Sequence, residues 1–253
     1  MTLQRQTPVV VREVGLRDGL QSIARTVPTA IKLEWLHDAH AAGLREIEVG
    51  SFVPARLLPQ LADTAALVEA ARSLPGDASG SRCLLEIGLS TAFGCTLQGR
   101  VDEDEVARLL QAVLDVGADR VGLADTVGYA DPLQVARLFE RCFEIAGDKL
   151  ACGHFHDTRG LGVANVYAAW QTGVRRFDAC IGGIGGCPHA PGASGNVATE
   201  DLAYLFASMG VPTGLDFDAL IALRGRVAGW LEGEPLHGNI WRAGLPKTIK
   251  VVQ

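Results

Sequence analysis

The sequence predicts an α/β protein of the (β/α)₈, TIM-barrel-like type, shortened to six visible βα units and followed by a C-terminal helical extension. Three observations predict it. Short β-branched runs alternate strictly with longer helical patterns, an order that calls for a parallel sheet with crossover helices. The first strand runs into VGLRDGLQ (14–21), which is not the GxGxxG turn of a dinucleotide-binding doubly wound sheet. Charged and polar residues gather instead at the C-terminal ends of several different strands, and a barrel brings those ends together on one rim.

Each element has its own justification. PVVVREVG (8–15) reads as the first strand, and TAIKLEWLHDAHAA (29–42) as an amphipathic helix that Gly43 stops. REIEVGS (45–51) is the second strand, followed by a helix over about 60–73. LPGDASGSR (74–82) has turn chemistry and no periodicity, and so reads as a bridge. The strands LLEIGLST (84–91), DRVGLADT (119–126), LACGHFHDT (150–158) and VRRFDACIG (174–182) then precede helices near 102–116, 132–146, 160–172 and 197–209. A further helix over about 215–231 leads into a Gly/Pro-rich tail, and the whole, 1–253, reads as one domain.

Composition narrows the function. With 253 residues, 48% hydrophobic and 21% charged, the chain can bury a full core and is not a disordered segment. No apolar run approaches the ~18–20 residues of a spanning helix, and MTLQRQTPVV (1–10) lacks the apolar stretch of a signal peptide, so a cytoplasmic, membrane-free protein is expected. The net charge of −6 offers nucleic acid no basic footprint. The six cysteines include no CxxC pair, and most are expected to be reduced and buried.

The rim residues carry the chemistry. Arg17 and Asp18 end the first strand. His154 and His156 are two apart, so on a strand they face the same way and can share one ion, although a strand can equally hold two histidines for hydrogen bonding alone. Two neutral imidazoles and an aspartate suit a divalent cation such as Mg²⁺ or Mn²⁺. The glycine-rich stretch 182–196, interrupted by Cys, Pro, His and Asn and running straight into a helix, reads as a functional loop. Cys187 within it would sit where a nearby cation and a helix N-terminus lower a thiol pKa. Simpler readings stand beside these: Arg17–Asp18 as an ion pair, Asp125 as a helix cap, Glu48 as a partner of Arg17, and Asn196 as the N-cap of the 197–209 helix.

VREVGLRDGLQ (11–21), LADTVG (123–128), HFHDTRG (154–160) and GGIGGCPHAPGASGNVATEDL (182–202) together resemble the 3-hydroxy-3-methylglutaryl-CoA lyases, metal-dependent TIM-barrel lyases with an Arg-Asp motif. The likeness runs from about Val9 to Leu215. It implies a lyase that cleaves 3-hydroxy-3-methylglutaryl-CoA, or a related 3-hydroxyacyl-CoA, to acetyl-CoA and a keto acid. It also implies Asp18, His154, His156 and Asn196 as ligands of Mg²⁺ or Mn²⁺, with Arg17, Glu48, Asp125, His154 and Cys187 as catalytic residues. Arg17 would stabilise an enolate, Asp125 would orient or deprotonate the substrate hydroxyl, Glu48 would help position the site, and Cys187 would return a proton to carbon. The alternatives are a Claisen-type condensing enzyme with the same Arg-Asp and HxHD motifs, and a metal-binding paralogue with impaired catalysis. The chain departs from the eight-stranded pattern between its second strand and STAFGC (90–95), where about 60 residues, or two units of ~30, are absent. The six remaining strands have either two open edges, which invite aggregation or strand exchange, or a rearranged closure, and a homo-oligomer is expected.

Overall fold

A computed structural model of the chain describes residues 7–75, 83–186, 192 and 194–249. Cys187 and most of the predicted bridge at 74–82 lie outside the described residues. The six strands among the described residues are β1 (Val10–Glu13), β2 (Glu46–Ile47), β3 (Glu86–Leu89), β4 (Arg120–Asp125), β5 (Leu150–Phe155) and β6 (Arg176–Ala179). They form one parallel sheet in the order β2-β1-β6-β5-β4-β3. The helices between them are α1 (Thr29–Ala41), α2 (Thr64–Arg72), α3 (Glu103–Asp115), α4 (Pro132–Ala146), α5 (Gly162–Thr172) and α6 (Thr199–Ser208). They are followed by α7 (Phe217–Trp230) and a short α8 (Ile240–Ala243).

Local chemistry places the helix ends. Asp131 accepts from the backbone N–H of Leu133 and Gln134 while Pro132 opens α4, a pairing that satisfies otherwise orphaned donors. Asp102 caps α3 by accepting from Asp104 N. Glu103 and Asp104, in that helix's first turn, reach across to Arg137 and Arg141 on α4.

Alternation along the strands makes two unlike faces. Val11, Val121, Phe155 and Phe177 are buried beneath the helices, where Phe155 meets Phe93 and Phe139 at ring distances of 5.9 and 6.2 Å and Phe177 stacks on Phe206 at 5.8 Å. The opposite face presents Arg12, Glu86, Cys152, His154 and Asp178 to an open cavity. Arg12 on β1 touches Glu86 on β3 at 2.7 Å, although three strands separate them in the sheet. Such contact requires the sheet to curl strongly, so the six strands make a half-barrel with β2 and β3 as its edges.

The second strand is shorter than the seven residues predicted: β2 keeps two, paired only with β1. Beyond it Glu48 N still donates to Glu13 O at 2.8 Å, and among the described residues no strand lies on the other side. The predicted helix over about 60–73 starts late, its first residues forming a single 3₁₀ turn at Pro59–Leu61. The C-terminal extension packs on the first helix: Trp230 lies 6.4 Å from Trp35, and Arg226 pairs with Glu34 and Asp38. Among the described residues no helix is long and apolar enough to cross a membrane.

Candidate active site

The residues after β1 do not turn directly into a helix of ordinary pitch. Val14 O accepts from the N–H groups of Arg17, Asp18 and Gly19, closing a single π-helical turn over Gly15–Gly19. That turn lifts Arg17 and Asp18 over the C-terminal end of the sheet. Glu13, fully buried, anchors it by accepting from Gly15 N at 3.0 Å. The same carboxylate accepts from Ile181 N at 3.2 Å and Thr199 Oγ1 at 2.6 Å, so it joins the first strand's turn to the loop after β6. Burial pushes the Glu13 carboxyl up to about 7, against the lowering effect of these donors.

Asp18 is where the elements converge. Its Oδ1 accepts from Arg17 Nη1 at 3.0 Å and Gln21 Nε2 at 2.7 Å, and its Oδ2 accepts from Asn196 Nδ2 at 2.7 Å. Burial raises its pKa, but His156, His154, Arg17 and Asn196 together outweigh that and bring the carboxyl down to about 2. It is an anion at any working pH. Asn196 reaches it because residues 195–197 run beside the end of β5: Asp157 N donates to Gly195 O at 2.8 Å and Val197 N to Phe155 O at 3.1 Å. Gly185 has φ +110, and a Cβ there would collide with Asn196 Nδ2, so the tight approach of the loop requires glycine.

His154 and His156 face each other with their Nε2 atoms 3.3 Å apart. His154 Nδ1 donates to Asp178 Oδ2 at 3.0 Å, and His156 Nδ1 donates to Thr126 O at 2.6 Å. A carboxylate and a carbonyl can only accept, so in the neutral rings both N–H protons sit on Nδ1. Two Nε2 lone pairs then point at one another, with Asp18 Oδ2 3.9 Å from His156 Nε2. Burial lowers the His154 pKa, but the hydrogen bond and charge of Asp178 outweigh it and raise it. Asp18, His154 and His156 offer ligand atoms within 4.8 Å of one another. Asn196 Oδ1, buried beside them, has no hydrogen-bond partner among the described residues. Facing lone pairs, a buried carboxylate and an orphaned amide oxygen fit a divalent cation.

The cavity over this cluster is about 470 Å³. Arg17 enters it with Nη2 on Glu48 at 2.7 Å, and its Nε has no partner among the described residues. Glu48, about one third exposed, has its pKa raised by burial, with Arg17 pulling the other way. Gly185 and Gly186 form part of the cavity wall, and the chain leads from them into Cys187.

The structure therefore brings together Arg17, Asp18, Glu48, His154, His156 and Asn196. Glu48 is the partner of Arg17. Asn196 does not cap a helix, since Ala198 occupies that position. Asp125 lies elsewhere: it is fully buried behind the cavity wall, and its two oxygens accept from Tyr129 N at 2.8 Å and Ala130 N at 3.2 Å. It fixes the loop whose Thr126 carbonyl holds His156. Arg12, Gln21, Glu86 and Asp178 were not expected. Charges at alternate positions of strands, such as Arg176/Asp178 and Arg12 in β1, were the signal for three of them.

Residues 58–227 match the HMGL-like family. The chain belongs to the HMGL-like family. The (R)-citramalyl-CoA lyase of Chloroflexus aurantiacus is 35% identical, with 93% of this chain and 95% of that protein covered. The hydroxymethylglutaryl-CoA lyase of Pseudomonas mevalonii is 33% identical over 94% of this chain and 96% of its own. The crystal structure of hydroxymethylglutaryl-CoA lyase from Pseudomonas aeruginosa superposes with a TM-score of 0.87 at 30% identity, covering 95% of this chain and 98% of that one. The alignment with the Chloroflexus relative spans 304 positions, more than this HMGL-like chain contains, so the relative carries a stretch that is absent here.

Proposed function

We propose that this HMGL-like protein cleaves the C2–C3 bond of a 3-hydroxyacyl-CoA bearing a second carboxylate, 3-hydroxy-3-methylglutaryl-CoA or its shorter relative citramalyl-CoA. It is a carbon–carbon lyase of the hydroxymethylglutaryl-CoA lyase type. The observation that carries the reading is the placement of Arg17 in the wall of the same cavity as the Asp18–His154–His156 cluster.

Cleavage removes the hydroxyl proton, turns C3 into a carbonyl and sends the C2–C3 electron pair toward the thioester oxygen as an enolate, which then takes a proton at C2. Asp18, His154, His156 and Asn196 would hold a divalent ion, Mg²⁺ or Mn²⁺. Bound there, such an ion lowers the pKa of a coordinated hydroxyl and fixes its orientation. Arg17, a donor already aimed by Glu48 and Asp18, stabilises the oxygen on which charge appears only as the bond breaks. Glu48 acts through Arg17. Asp125 acts through its loop, by holding Thr126 O against His156. Cys187, next to the glycines of the cavity wall, is assigned the return of the proton to C2.

The two candidate substrates differ by one methylene, and their products separate them. Metal-loaded protein is incubated with each thioester, with acetoacetate and pyruvate measured beside acetyl-CoA. Acetoacetate from the first, or pyruvate from the second, with loss of either in Cys187→Ala, supports the reading. Silence with both thioesters, in protein that binds one metal ion, removes the lyase assignment and leaves a metal-binding paralogue. Consumption of acetyl-CoA with a keto acid in preference to cleavage would favour a condensing enzyme. The reading treats 1–253 as one cytoplasmic domain, and β2 and β3, unpaired on one side among the described residues, favour a homo-oligomer.

A further inference from the structure

The inner face of the half-barrel carries a row of charges that the roles above do not use. Arg12, in the middle of β1, donates from Nε to Asp178 Oδ1 at 2.7 Å and from Nη2 to Asp178 Oδ2 at 3.1 Å. Its Nη1 donates to Glu86 Oε1 at 2.7 Å. Asp178 Oδ2 in turn accepts from His154 Nδ1. Four strands, β3, β1, β6 and β5, are thereby joined by one run of charge-assisted hydrogen bonds that ends on an imidazole of the candidate cation site.

The run has a direction. Asp178 is buried, which would favour its neutral form, but His154 and Arg12 hold its carboxyl well below the usual range. It is an anion that can only accept. A neutral imidazole has one N–H, and an anion opposite Nδ1 fixes that proton there and leaves the Nε2 lone pair for the cavity. Arg12 occupies both Asp178 oxygens in a fork, so the carboxylate cannot rotate away from the ring.

We infer that Asp178, clamped by Arg12, is the positioning residue that sets the tautomer and orientation of His154 for cation binding. The inference rests on the reading of Asp18, His154 and His156 as a cation site, and its test reads the tautomer on metal-free protein as well as the affinity.

Asp178→Asn keeps the side-chain shape but offers only one acceptor oxygen. Arg12 presents only donors and takes that oxygen, so the Asn amide N–H₂ must face His154 Nδ1. The ring proton then moves to Nε2, the wrong-tautomer outcome that an isosteric Asp→Asn change produces in a hydrolase triad. In ¹⁵N-histidine NMR of the metal-free protein, above the titration of the imidazole, His154 is expected as the Nδ1–H form in the wild type. The Nε2–H form is expected in Asp178→Asn. Mn²⁺ affinity, read by the EPR signal of the free ion, is expected to fall about 10–100-fold.

The double variant Arg12→Met/Asp178→Asn removes the competing donors and lets the Asn oxygen turn back to Nδ1–H. It is expected to regain the Nδ1–H form and part of the Mn²⁺ affinity. A purely structural Arg12–Asp178 pair predicts the opposite, a double variant no better than either single one. An unchanged tautomer in Asp178→Asn, or a Mn²⁺ affinity within twofold of wild type, would overturn the inference. Wild-type protein that binds no Mn²⁺ would instead remove the cation reading, with the tautomer result standing apart from it.

Discussion

The two sides of the half-barrel are built differently. Along β5, β6 and β1, the strands are paired on both edges, their outer residues sit under α4 to α6, and the candidate site is held by hydrogen bonds from four separate segments. Along the other side, β2 pairs over two residues and β3 has a partner only in β4. Phe52 beyond β2 and Leu84 and Leu85 before β3 are exposed. The Asp18–His154–His156 cluster is anchored in the first side, while the second contributes Glu48 beside Arg17 and Glu86 beside Arg12. What the second side lacks is wall, where the sequence is about two βα units short of the eight-stranded pattern.

The largest effect is expected where that anchoring is densest. On the cation reading, His156→Ala removes a ligand atom and Asp18→Asn the ligand charge, and each should weaken Mn²⁺ binding by more than the roughly 10–100-fold that loss of an outer partner causes. Cleavage should fall to background. Metal analysis showing full occupancy in either variant would break the assignment. Arg17→Met should leave Mn²⁺ bound and lower kcat by about 10²–10³, the usual effect of losing one donor to a developing oxyanion. A change confined to KM would place Arg17 in ground-state binding instead.

How far the sequence told these two sides apart follows from what local pattern can carry. The helix borders were legible because their signals are local: Asp131 and Pro132 open α4, and Gly43 and Gly173 take positive φ after α1 and α5. The same-face placement of His154 and His156 follows from the period of a strand. Arg12–Glu86 was not legible, since their 74-residue separation closes only when the sheet curls. Asn196 was ambiguous for a related reason. As a residue ahead of a helix it scores as a cap, and only the run of 195–197 beside β5 turns it toward Asp18. The fate of Asp125 lay in the backbone N–H groups of Tyr129 and Ala130, which no residue pattern displays.

On the anchored side, Phe139 is fully buried between Phe93 and Phe155. Phe139→Ala should cost about 3–5 kcal/mol in urea unfolding, the range for a large aromatic in a closed core. A cost near that of a surface change would show that this wall is looser than its packing.

The anchored side also carries a pH dependence. Glu13 is fully buried, and its carboxyl rises from an ordinary value of 4.5 to about 7. A raised carboxyl stabilises the fold in its protonated form. Its contribution is complete below about pH 4.5 and is lost as the pH rises through about 7, an effect of about 3 kcal/mol at 1.36 kcal/mol per unit. Urea midpoints measured from pH 5 to 8 should fall with pH in the wild type and fall less in Glu13→Gln, which keeps an acceptor for Gly15 N and Ile181 N. Equal slopes would show that the three donors around Glu13 keep it ionised throughout.

The smallest effect decides most about the open side. Phe52 is 81% exposed, and its truncation to Ala should change stability by no more than about 0.5 kcal/mol in dilute protein. If copies of the chain meet along β2 and β3, the same substitution removes apolar area from that contact, and its cost must grow with protein concentration. Urea midpoints of wild type and Phe52→Ala, measured over a hundredfold range of concentration, separate the two cases. A difference that stays near zero leaves the trough open to solvent, so the substrate itself must supply the missing cover. A difference that widens makes a second copy the wall that this chain does not encode.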